Sequence, residues 1–176
     1  MKHKTMPKPL PDTTKSKSRR SKGEGSSSRL RKVKQASKKT IKRKAWSAFG
    51  KYIRLRDCLK TTGTLTHGKC ITCGKLLGIG FCDAGHFVSR RYNSTLFDER
   101  NCHVQCRYCN RYLDGNLLEY RRQIINLYGE GSDIALENKA KKIKKYSPQD
   151  LTELERYYNI EVEKLQNLRG HNESLV

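Results

Sequence analysis

The sequence predicts an α+β protein: a small zinc-stabilised strand-and-helix core, flanked by helices and preceded by a disordered basic arm. Three observations carry this expectation. Two Cys-x-x-Cys pairs, Cys70/Cys73 and Cys106/Cys109, bracket the middle of the 176-residue chain. Apolar residues recur at helical spacing on both sides of that bracket. The Lys and Arg that give the chain its +21 formal charge crowd toward one end.

The first element is the arm, residues 1–39. It carries Pro7, Pro9 and Pro11, then Lys-Ser-Lys-Ser-Arg-Arg and Gly-Glu-Gly-Ser-Ser-Ser. Such a segment buries too little apolar surface to offset the entropy of ordering. Through Lys44 there are 17 Lys and Arg against Asp12 and Glu24, a net +15 of the +21. A field of that sign draws polyanions and makes binding salt-dependent, so nucleic acid is the leading partner; a merely solubilising extension is the plainer reading. No apolar run approaches the roughly 20 residues of a membrane span and no secretory h-region is visible, so a soluble, cytoplasmic protein without a membrane partner is expected.

Residues 40–131 read as the core. Trp46, Phe49 and Ile53, with Ala45, Ala48 and Tyr52, predict an amphipathic helix from Thr40 to about Asp57. Its cationic outer face, Lys42, Arg43, Lys44, Lys51, Arg54 and Arg56, would extend a phosphate-binding surface, with Trp46 in the core. Leu59–Lys69 reads as a loop in which His67 is solvated. Lys75–Gly80 and Phe81–Phe87 read as the two strands of a hairpin turning at Gly78 and Gly80. Val88–Asp98, with Arg90 and Arg91, would loop over the site, where the two arginines either clamp a phosphate or stand exposed. A helix begins at Cys109-Asn110 and breaks at Asp114-Gly115. Asn116 then caps a helix striped by Leu117, Tyr120, Ile124 and Leu127.

Residues 132–176 read as C-terminal helices. One starts at Asp133 and covers residues 134–142. The other opens at Ser147-Pro148-Gln149-Asp150, with Ser as N-cap and Pro in the first turn. Its stripe of Leu151, Leu154, Tyr158, Val162, Leu165 and Leu168 either packs on the core or pairs with a second copy, and packing is the favoured choice.

Four cysteines on two tight turns suit one closed tetrahedral Zn²⁺ site at Cys70, Cys73, Cys106 and Cys109; two disulfides are the alternative, disfavoured inside a cell. Cys58, Cys82 and Cys102 then remain, the last two as small buried apolar residues. The span between the pairs exceeds the roughly 15 to 20 residues of a simple ribbon, so something is held inside the clamp. That span contains Asp83-Ala84-Gly85-His86-Phe87 and Glu99-Arg100-Asn101-Cys102-His103. A strand ending in His, a loop bearing Asn and a helix opening at the second knuckle resemble a ββα-metal (HNH-type) nuclease.

With Cys-Ile-Thr-Cys-Gly, Phe97 through Cys106, Cys109-Asn110 and Gly115-Asn116-Leu117-Leu118-Glu119-Tyr120-Arg121, the segment from about 65 to 130 resembles the lambdoid phage NinG/Rap recombination endonuclease family. The resemblance implies a Mg²⁺-dependent endonuclease cutting branched DNA such as Holliday junctions and D-loops, in the host cytoplasm if phage-encoded. His86 would be the general base and Asn101 would orient it or hold its loop. Asn110 would be a Mg²⁺ ligand, with Asp83 and His103 the candidates for another. Many HNH sites have Asp or His directly before the catalytic His, where this chain has Gly85. Asp83 and His86 would face opposite ways in a regular strand, so a bend at Ala84-Gly85 is expected if both serve the site. Cleavage at two strands of a junction would suit a homodimer. A site-specific or homing HNH nuclease and a non-catalytic zinc-containing DNA-binding protein are the competing readings.

Overall fold

The computed structural model describes residues 36–173, with side-chain burial described to residue 167. The expected basic arm therefore lies almost wholly outside the described residues. The first helix, α1, runs Lys38–Thr62, longer at both ends than its apolar stripe suggests. Ser37 caps it by accepting from the Thr40 amide, and Gly63 ends it in the left-handed region at φ 70°. Its buried face presents Ala45, Ala48, Phe49 and Ile53.

The strands pair differently from the expected hairpin. β1 (His67–Lys69) pairs antiparallel with β2 (Leu76–Gly78). The turn of the first knuckle reverses the chain between them, closed by Cys70 N–H to Lys75 O and Gly74 N–H to Cys70 O, with Gly74 at φ 71°. β3 (Cys82–His86) instead pairs antiparallel with β4 (Cys102–Cys106), from Cys82 opposite Cys106 to His86 opposite Cys102. The two candidate strands of the sequence reading thus belong to separate two-stranded sheets, divided by a single 3₁₀ turn at Ile79–Phe81. The connection from β3 to β4 holds a short helix, α2 (Asn93–Leu96), and a 3₁₀ turn, Glu99–Asn101.

After β4 the chain makes a π-helical turn, Tyr108–Tyr112, and enters α3 (Leu117–Tyr128) and α4 (Ser132–Ala140). Asn116 precedes α3 with φ 47° and gives no side-chain cap, so the capping role expected of it is not observed. Of the stripe on α3, Tyr120 and Ile124 are buried while Leu117 and Leu127 are exposed. Arg121 ties α3 to α4 through Asp133 and Glu137.

The last helix, α5 (Pro148–Glu173), opens with a reciprocal cap: Asp150 N–H donates to Ser147 Oγ (3.1 Å) and Ser147 N–H to Asp150 Oδ2 (2.8 Å). Its stripe packs within the chain as far as Leu165, while the Leu168 side chain lies outside the described residues. Leu151, Leu154 and Tyr158 join Phe49, Ile53, Phe97 and Cys102 in the main core, and Val162 with Leu165 meets Leu55 and Leu65.

Arg56 is not on a solvated face. It is 6% exposed, and its guanidinium donates to Asp57 Oδ1 (2.8 Å), Glu99 O (3.1 Å) and Cys102 O (2.9 Å). Helical spacing placed it among the lysines, but the β4 backbone covers that side of α1. Among the described residues no helix is long and apolar enough to cross a membrane.

Candidate functional site

Two centres are built on the β3–β4 pair. At one end, Cys106 closes β4, Cys109 sits in the π-helical turn, and Cys70 and Cys73 lie on the first knuckle. Their four sulfurs all lie within 4.8 Å of one another, and Cys73 Sγ is 3.8 Å from Cys106 Sγ. All seven cysteines are free thiols. Burial pushes the Cys70 thiol up, but the Thr72 hydroxyl and the amides of Cys106, Cys73 and Thr72 outweigh it and bring it down to about 7. Four converging thiols, one poised to ionise, could hold a metal such as zinc. Of the remaining cysteines, Cys58 and Cys82 pack with Val104, and Cys102 is fully buried in the main core.

The second centre is a cleft of about 870 Å³ along the free edge of β3. α1 contributes Arg43, Trp46 and Arg54 to it, β3 contributes Asp83 and His86, and the following loop contributes Arg90. The π-helical turn adds Asn110 and Arg111. Asp83 and His86 reach this one space without the expected bend, because the pairing with β4 runs unbroken from Cys82 to His86. Opposite faces of an edge strand can both border a cleft that lies beyond that edge.

His86 Nε2 lies 3.0 Å from Leu96 O, an acceptor, so that nitrogen carries the proton and Nδ1 keeps its lone pair. Nδ1 meets the Cys102 thiol at 3.9 Å, kept neutral because burial raises its pKa. Trp46 packs on the imidazole at a centroid distance of 5.0 Å, and Arg90 lies over the Trp46 ring at 5.6 Å. Burial is the main cause that takes the His86 pKa down to about 4, with Arg90 adding to it. At neutral pH the ring is an uncharged base.

Asn101, fully buried, does not meet that ring. Its amide accepts from Val88 N–H (2.7 Å) and donates to Val88 O (3.0 Å) and Thr95 O (3.1 Å). It thereby clasps the chain leaving His86 to the turn that offers Leu96 O. Asp83 is engaged by Asn110 Nδ2 at 3.1 Å and by both arms of Arg111 at 2.8 and 3.0 Å.

His103 is elsewhere. Paired with Gly85, its ring turns into a buried network, with Nδ1 3.2 Å from Asp57 Oδ2 and Nε2 3.2 Å from the Tyr128 hydroxyl. Both ring nitrogens are thus engaged, and His103 does not line the cleft. Arg91 and Lys44 are exposed and also lie outside its lining, whereas Arg43 and Arg90 are part of it.

Gly85 has a steric reason to be glycine. A Cβ there would lie 2.1 Å from Gln105 Oε1, and Gln105 is itself fixed by donating to Gly115 O at 2.8 Å. No side chain, ligand or otherwise, fits at that position while Gln105 stays in place. Arg111 and the Asp57–His103 pair were missed in the sequence; the first could have been suspected because it directly follows Asn110, the second had no local signal.

The model of the bacteriophage lambda NinG protein family matches residues 1–168. The chain belongs to the NinG family. Over 62 residues it is 45% identical to protein ninG of Escherichia phage 933W, and over 61 residues 44% identical to protein ninG of Salmonella phage P22. Over 62 residues it is 42% identical to protein ninG of Escherichia phage lambda. These alignments take in about a third of the chain (35%, 34% and 35%) and 30% of each relative. No solved structure matches.

Proposed function

We propose that the chain is a metal-dependent DNA endonuclease whose reacting centre is the cleft between α1, β3 and the π-helical turn. The observation that carries this reading is His86: a neutral imidazole, its Nε2 committed to Leu96 O and its Nδ1 met only by the weak Cys102 thiol donor at 3.9 Å, lining a cleft bordered by Arg43, Arg54, Arg90 and Arg111. The order of strand, strand and helical turn around it is consistent with a ββα-metal nuclease.

In this reading, Arg43, Arg54 and Arg90 hold the DNA backbone across the cleft. His86 Nδ1 accepts a proton from water as the water oxygen bonds to phosphorus and the bond to the 3′ oxygen breaks; that oxygen then takes a proton from solvent. Asn101 holds the two segments that fix the imidazole. Asp83 and Asn110 offer a carboxylate and an amide, hard oxygen donors that suit Mg²⁺. Bound there, such an ion would supply Lewis-acid stabilisation of the phosphate and the leaving oxygen. Zinc at the four thiols would serve the scaffold, since it anchors the turn that carries Asn110.

The substrate class, branched recombination intermediates such as Holliday junctions and D-loops, rests on the resemblance to the recombination endonucleases of this family. Paired nicks at a junction would be made by two copies of the chain.

The test is cleavage of a synthetic four-way junction and its matched linear duplex, with Mg²⁺ and then with EDTA. Faster cutting of the junction, stopped by EDTA and restored by Mg²⁺ while zinc remains bound, is the expected result. Cutting of linear DNA at fixed sequences would favour a site-specific nuclease. Binding without cleavage would reduce the chain to a zinc-stabilised DNA-binding protein.

A further inference from the structure

Asp83 is the one carboxylate that lies beside His86 on β3, and both of its oxygens are already met by N–H donors. Arg111 approaches as a fork, Nε on Oδ2 and Nη2 on Oδ1, while Asn110 turns its Nδ2 toward the same Oδ2. The guanidinium side chain is 60% exposed against 18% for Asp83. Water and salt therefore reach the arginine freely, and the pair is held loosely.

The backbone beneath it is not loose. Leu113 N–H to Tyr108 O and Gly115 N–H to Cys109 O close the π-helical turn on the second knuckle. The Arg111 side chain can leave Asp83 without disturbing the turn that presents it.

A divalent cation bound at Asp83 would compete for the same carboxylate oxygens, and two cations on one carboxylate repel each other at that distance. We propose that Arg111 is an exchangeable cation: it neutralises Asp83 while no metal is bound, and on metal binding it is released into the cleft, where its planar fork takes a phosphate oxygen of the DNA. The fork geometry that now matches a carboxylate matches a phosphate equally well. Asn110 turns over in the same exchange, presenting its amide oxygen rather than its N–H₂. The competition for Asp83 is argued from the Arg111 and Asn110 contacts and needs only that a cation bind there, whereas the phosphate contact rests on the endonuclease reading.

The experiment measures Mn²⁺ binding, by electron paramagnetic resonance, to the zinc-loaded full chain carrying His86→Ala, without DNA. Adding Arg111→Ala is expected to tighten Mn²⁺ binding roughly five- to tenfold, since a competing charge in contact with the carboxylate is removed. Arg111→Lys, which cannot make the fork, should fall between, and Asp83→Asn should abolish binding. If Arg111→Ala leaves Mn²⁺ affinity unchanged or weakens it, or if neither chain binds Mn²⁺, the exchange is refuted, and an arginine that merely positions Asp83 would give that weakening. The second arm is single-turnover junction cleavage at saturating Mn²⁺ by Arg111→Ala with His86 intact. A rate at least about tenfold below the parent is expected from loss of a charge-assisted phosphate contact; an unchanged rate refutes the phosphate role. A parent chain that binds Mn²⁺ but cuts nothing would refute the endonuclease reading and with it the phosphate contact, while the Mn²⁺ comparison still decides the exchange.

Discussion

Gly85→Ala is a one-methyl change whose cost can be worked out from its surroundings. The new Cβ would meet Gln105 Oε1 at 2.1 Å, Cδ at 2.8 Å and Cγ at 3.0 Å, so the Gln105 side chain must move. Gln105 is fully buried and tied to Gly115 O at 2.8 Å and Thr72 Oγ1 at 3.3 Å, so moving it breaks bonds that solvent cannot replace. Overpacking of a tight interior costs about 1–3 kcal/mol, and a buried partner left unsatisfied adds about 1–3 kcal/mol. We expect destabilisation of about 2–6 kcal/mol, read as a fall in the urea midpoint of the zinc-loaded chain. Gln105→Ala should cost stability by itself, yet the double variant should be markedly less unstable than the two single costs combined, because the clash is gone. A Gly85→Ala chain within about 0.5 kcal/mol of the parent, or strictly additive costs, would refute the steric account of this position.

Asp57→Ala strands Arg56 and His103 in the interior and should cost about 3–5 kcal/mol in denaturant unfolding; a loss no larger than a surface substitution would contradict the buried network. Ser147→Ala removes half of the reciprocal cap on α5 and should cost about 1 kcal/mol, lowering the melting temperature by about 2–4 °C; no change would mean the cap contributes nothing. His86 is held down near pH 4 by burial, so as pH falls from about 6.5 the unfolded chain binds its proton first and stability is lost between about 6.5 and 4. This one group contributes up to about 1.4 kcal/mol per pH unit in that window, and His86→Gln should flatten the stability curve by that amount relative to the parent; parallel curves would contradict the buried, neutral ring. The same burial predicts that the acid limb of the cleavage profile lies well below pH 6.5, and a limb at 6.5 would argue against it.

Local chemistry made much of this molecule legible. Cysteine spacing brought Cys70, Cys73, Cys106 and Cys109 to one point, because each pair rides a turn whose geometry the intervening residues set. The Ser-Pro-Gln-Asp start of α5 and the apolar stripes of α1 and α5 follow the same logic. What local pattern could not reveal was partnership across the chain. Lys75–Phe87 contains two strands, but their partners come from residues 67–69 and 102–106, so the adjacent pair did not form a hairpin. Arg56 reads as one more surface cation until β4 is laid over it, and His103 reads as a ligand until Asp57 is placed beside it. In the cleft, His86, Asp83 and Asn110 could be singled out as residues, whereas the occupation of Asp83 by Arg111 is visible only in three dimensions.

The account stands most directly on the single-turnover rate at which His86→Ala cleaves a labelled four-way junction, measured beside the parent at equal zinc content and equal DNA affinity. Loss of a general base should cost about 10²–10⁴-fold in rate, with binding unchanged. A variant that cuts the junction as fast as the parent would contradict the assignment of the cleft around His86 as the reacting centre.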